Sequence, residues 1–98
     1  MEKIIELKTP EPTVLFGVGD SNIKVIEDSL DAKILIRGDK VKISGEKRNV
    51  EKVNVILVEM IDTLNANGNL TIRDVQNLVA IVKSEEIEDN VSAKKIKD

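Results

Sequence analysis

Apolar residues recur along this chain with two different periods. Lys3-Ile4-Ile5-Glu6-Leu7 is short and β-rich, which predicts a strand. Pro10 and Pro12 restrict their own backbones and those of the residues before them, so that strand ends before Thr9. Thr13-Val14-Leu15-Phe16 predicts one helical turn, broken by Gly17-Val18-Gly19. Ile23, Ile26 and Leu30 then fall at the spacing of one helical face and predict a helix from Ser21 to Leu30, with Asp20 or Ser21 placed to cap it by accepting from its free amides.

The second half alternates less and repeats more. Ala32 to Arg37 and Lys40 to Ser44 are β-rich runs separated by Gly38-Asp39, a connection that suits a tight hairpin. Val50, Val53, Leu57, Met60, Ile61 and Leu64 form an apolar stripe along a helix running to Asn65, and Asn67-Gly68 stops it. Val55, Ile56 and Val58 widen the stripe beyond what one sheet face requires, which predicts a second packing neighbour. Ile72, Val75, Leu78, Val79 and Val82 supply it as a final helix from Ile72 to Ser84, with Thr71 and Asp74 at the spacing of a capping box. The predicted fold is α+β, with the order βααββα, a three-stranded antiparallel sheet packed on helices, and one extra C-terminal helix.

Composition narrows the chemistry. At 98 residues the chain suits one core, and with Phe16 as its sole aromatic that core is aliphatic. Without Cys or His there are no disulfides, no thiolate nucleophile, none of the common zinc ligands and no imidazole for proton transfer. No hydroxyl is paired with an activating base, so the expectation is a binding module and not an enzyme. No apolar run approaches the roughly 20 residues that span a bilayer, and the opening residues do not form a signal-peptide core, so the expected location is the cytosol, with no membrane partner. From Glu85 to Asp98 blocks of charge alternate with little apolar content, which reads as a mobile linker, so that the folded unit comprises residues 1–84.

The net charge of −3 hides an uneven distribution. Between Lys33 and Arg48 lie six basic residues and two acidic ones, while the remainder is acidic. A single-stranded RNA site is the leading expectation, with Gly17, Val18 and Gly19 approaching the nucleic-acid backbone and Lys24, Arg37, Lys40 and Lys42 supplying positive charge. Ile23, Ile26, Ile34 and Ile36 are candidates to line such a groove, although their periodicity also suits plain core. With no Tyr or Trp the stacking worth roughly 1–3 kcal/mol per base is missing, so RNA binding is expected to be weak. The alternative is a protein-interaction module that docks a helix on another domain or on a second copy. The basic strands have a plain explanation too, since Lys and Arg on exposed strands discourage edge-to-edge aggregation.

The element order resembles that of a K-homology domain. Phe16-Gly17-Val18-Gly19-Asp20-Ser21-Asn22-Ile23-Lys24-Val25-Ile26 is similar to the family signature Ile-Gly-x-x-Gly-x-x-Ile-x-x-Ile, with Gly17 as the first glycine and Asp20 in place of the second. A carboxylate there opposes the close phosphate approach that glycine permits. Asp20 is also a good helix cap, which requires no ligand. Leu15-Phe16-Gly17, Asp20, Asn22, Lys24, Arg37-Gly38, Lys42-Ile43-Ser44-Gly45-Glu46 and Leu70-Thr71 resemble the N-terminal domain of PhoH-like proteins. That resemblance implies a KH-like part of a larger ATP-binding protein, with 85–98 leading into a P-loop ATPase domain that would be its intramolecular partner. It assigns ATP and magnesium to that other domain and no cofactor to this chain, in which no Gly-x4-Gly-Lys-Ser/Thr run occurs.

Overall fold

The computed structural model describes residues 1–9 and 11–84, and the linker expected at 85–98 lies outside the described residues. The chain runs β1 (Glu2–Glu6), α1 (Pro12–Phe16), a 3-10 turn (Val18–Asp20), α2 (Ser21–Leu30), β2 (Lys33–Arg37), β3 (Lys40–Ser44), α3 (Lys47–Asn67) and α4 (Ile72–Ser84). This is the βααββα order with an additional helix. The sheet is antiparallel throughout, in the order β1-β3-β2.

Pleating sorts the strand residues onto two faces. Ile5, Ile34, Ile36, Val41 and Ile43 face the helices, and Val41 and Ile43 on the central strand are fully buried. The other face has no layer over it among the described residues, and Ile4 stands 64% exposed there. Gly38, at φ 62, leads the hairpin and Asp39 follows at negative φ, the sign pattern of a type II′ turn, which matches the twist of the strands it joins.

Helices α2 and α3 cover the inner face of the sheet, and α4 packs across both as a third layer without touching a strand. That third layer accounts for part of the width of the α3 stripe: of the residues that widen it, Ile56 is fully buried and Val55 half-buried, whereas Val58 is 43% exposed and stands outside the core. The α4 seam consists of Val75, Val79 and Val82, all buried. Both ends of α4 are tied. The Thr71 amide donates to Asp74 Oδ2 at 3.0 Å and the Asp74 amide to Thr71 Oγ1 at 3.1 Å, a reciprocal capping box in which Asp replaces the usual Glu. At the other end Lys52 Nζ, on α3, donates to the Lys83 carbonyl at 3.0 Å, where the helix dipole favours a cation.

Several boundaries differ from the sequence pattern: β2 begins at Lys33 and not Ala32, and α3 runs to Asn67 and not Asn65. Helix α3 begins at Lys47, ahead of Val50, because its first turn of Lys47, Arg48 and Asn49 is polar and an apolar stripe cannot report it. Strand β1 begins and ends one residue earlier than its pattern, and Leu7, just past it, is buried while its amide donates to the Asp39 carbonyl at 2.7 Å. Among the described residues no helix is long and apolar enough to cross a membrane.

Candidate functional site

The glycine loop is built around a buried amide. Asn22 is only 2% exposed, and its Nδ2 donates to the Leu15 carbonyl at 3.1 Å, tying the start of α2 back to the end of α1. Gly17 makes room for this. A Cβ at that position would lie 2.7 Å from Ser21 Oγ and 2.9 Å from Asn22 Cγ, and its φ of 85 disfavours any L side chain. The sequence pattern passed over this role of Asn22, although its spacing to Ile26 and Leu30 puts it on the same buried helix face.

Beyond Gly17 the chain makes one 3-10 turn with Gly19 and Asp20 both at φ 60. Asp20 stands at the N-cap position of α2 but makes no side-chain bond to the helix amides, which corrects the expectation that it caps the helix. The reason is conformational. A capping side chain reaches the amides from an extended backbone, whereas Asp20 is left-handed, a state Asp enters more readily than most residues. The position thus keeps a backbone suited to glycine while carrying a carboxylate. Ser21 is already the first helical residue, at φ −60.

Between this loop and the start of α4 lies a groove of about 830 Å³. Val14, Phe16, Val18, Leu70 and Ile72 supply its apolar surface, Thr13 and Ser21 its hydroxyls, and Asp20 is its one charged lining residue among the described residues. Val18 projects from the loop apex, 94% exposed.

The cations singled out in the sequence are elsewhere. Lys24 is exposed on α2 and does not line the groove. Arg37 and Lys40 are register partners, Lys42 is two residues further along the same open face, and Lys33 joins them there. Across β3, Glu6 faces Lys40, and Glu2 pairs with Lys42 at 3.3 Å. Sheet register thus gathers Lys33, Arg37, Lys40 and Lys42 around Leu35 and Ile4, and none of them lines the groove that Gly17, Val18 and Gly19 border. Lys33 was legible in principle, because strand alternation places it with Leu35 and Arg37.

Of the four candidate groove-lining isoleucines, Ile23, Ile26 and Ile34 are buried core and Ile36 is half-buried against it. The edge of β2 is latched to α2 as well: the Ile34 amide donates to Glu27 Oε2 at 2.8 Å. That bond uses an outward-facing edge donor and puts a carboxylate between helix and strand. No cluster of three or more acidic residues able to hold a metal ion occurs among the described residues.

Comparison with known proteins places this architecture beside one curated relative. A PhoH-like protein of Bacillus subtilis (strain 168) is 27% identical over 84 residues, covering 85% of this chain and 26% of that protein. The chain therefore spans about a quarter of the length of that relative. No protein-family model matches the chain. No solved structure matches it either.

Proposed function

We propose that this chain is a non-catalytic, K-homology-like accessory domain of a PhoH-like protein, and that it binds single-stranded RNA weakly through its open sheet face. The observation that carries the RNA reading is the register that stacks Lys33, Arg37, Lys40 and Lys42 on one uncovered surface. Among the described residues Lys33, Arg37 and Lys40 make no ion pair, whereas Lys42 is engaged by Glu2. Three cations without partners neutralise roughly three phosphates, which on a single strand gives a slope of log affinity against log salt of about −2. Ile4 and Leu35 offer aliphatic surface to bases, but without aromatic stacking the complex is weak and electrostatic.

Fluorescence anisotropy of a short single-stranded RNA across a salt series tests this. The expected result is a slope near −2 for the native chain and loss of most binding in Arg37→Ala/Lys40→Ala. Binding that survives the double substitution, or is absent at low salt, removes the RNA reading.

A second reading, docking on another protein surface, is favoured by one specific feature. The glycine loop, which carries the resemblance to a phosphate clamp, presents a carboxylate and apolar side chains in a groove that no cation lines among the described residues. In a PhoH-like protein the ATP-binding chemistry would belong to the other domain, and this one would regulate or position it.

A further inference from the structure

We infer that the groove between the glycine loop and α4 is a docking site for a protein segment in which an apolar side chain is flanked by lysine or arginine. This inference is independent of the RNA reading, which concerns the opposite side of the sheet. Two observations identify the occupant. Val18 at 94% exposure and Ile72 at 46% present apolar surface on both walls, in a molecule whose other large apolar residues are mostly buried. Among the described residues Asp20 is the groove's one charged lining residue, and its carboxylate makes no bond to the helix it adjoins. A carboxylate beside apolar walls favours a cation next to an apolar group and repels phosphate. The polar side chain beneath the loop is already committed, since Asn22 donates to Leu15. Burial of Val18 and Ile72 supplies affinity, and Asp20 sets the sign of charge that the partner carries.

The test uses the full 98-residue chain, isotope-labelled for amide NMR, and two capped peptides, Gly-Gly-Lys-Ile-Leu-Lys-Gly-Gly and its counterpart with Glu for Lys. The basic peptide is expected to shift the amides of Gly17, Gly19 and Ile72 saturably, and the acidic one to leave them in place. Asp20→Asn keeps the left-handed backbone accessible and removes the charge, and should weaken the basic peptide about two- to fivefold, the worth of an exposed ion pair. Val18→Ser, at a site with no packing to lose, should weaken it at least about tenfold through lost apolar burial. Equal binding of both peptides, an unchanged affinity in Asp20→Asn, or shifts confined to the sheet face overturns the proposal. So does movement of these amides by a short RNA, or by raising the concentration of the chain alone, which would give the groove to nucleic acid or to a second copy.

Discussion

Two aspartates and two glycines share the left-handed region around α2, and they differ in what surrounds them. Gly17 is packed against Ser21 and Asn22, whereas nothing lies within 4 Å of a Cβ built on Gly19. Gly17→Ala should therefore cost more than about 2 kcal/mol, combining backbone strain with overpacking, and Gly19→Ala only about 1 kcal/mol from strain alone. Urea unfolding of the two variants side by side separates these costs. Asp20 and Asp31 reverse the logic, because each occupies a positive φ, 60 and 42, with a side chain that glycine would not have. Relief of strain partly offset by unfolded-chain entropy predicts that Asp20→Gly raises stability by about 0.5 kcal/mol, or roughly 2–4 °C in Tm. Calorimetry checks this, and an unchanged or lower Tm would mean that the aspartate is already well accommodated. Asn22→Ala should cost about 1–3 kcal/mol, since it leaves the buried Leu15 carbonyl without its donor.

Helix α4 is the element whose attachment is most open to experiment. It touches no strand, so its stability depends on the seam of Val75, Val79 and Val82 and on its two tied ends. Thr71→Ala removes one half of the capping box and should cost about 1 kcal/mol. Val75→Ala removes two methyl groups from a fully buried site and should cost about 2–3 kcal/mol once the cavity is included. Because Leu70 and Ile72 form one wall of the groove, loosening α4 should also weaken the basic peptide, whereas RNA binding on the far side of the sheet should be unaffected. Amide hydrogen exchange in Val75→Ala checks the first point: protection should fall in α4 before it falls in β3. The Glu27 latch acts between elements too, and Glu27→Ala should expose the Ile34 amide to exchange while leaving the hairpin paired.

For the molecule as a whole, the distribution of charge decides more than its total. A chain with net charge −3 is a poor partner for polyanions on average, yet its open sheet face holds four basic residues against Glu2 and Glu6. Glu2→Gln frees Lys42 from its 3.3 Å pair and should tighten RNA binding about two- to threefold and steepen the salt slope by about 0.7, the increment for one further phosphate. Anisotropy across the same salt series measures both quantities, and an unchanged slope would place Lys42 outside the interface. Asp20→Gly should leave RNA affinity unaltered while weakening the basic peptide, because the loop and the sheet face are separate surfaces.

Secondary structure was legible because it is a local property. Period-3.6 spacing of Ile23, Ile26 and Leu30, the Gly38-Asp39 turn and the Thr71-Asp74 box each act within a few residues, and α2, β3 and α4 run as their patterns predict. The widened stripe of α3 announced a third layer through Ile56 and Val55, although Val58 in the same stripe is exposed. What the chain could not reveal residue by residue was which of these elements meet. Gly17 and Lys40 look like parts of one site when read along the sequence, but strand register sends the cations to the open face, while the glycine loop lines a groove that faces the start of α4. The conformation of Asp20 belongs to the same class: a good capping residue in isolation, it takes a left-handed backbone in a loop whose neighbours are held by Asn22 on Leu15 and Gly17 on Ser21. Periodicity is set by each residue's own geometry, whereas the surfaces that could bind a partner arise from contacts between residues far apart in the chain, and only the tertiary structure brings those together.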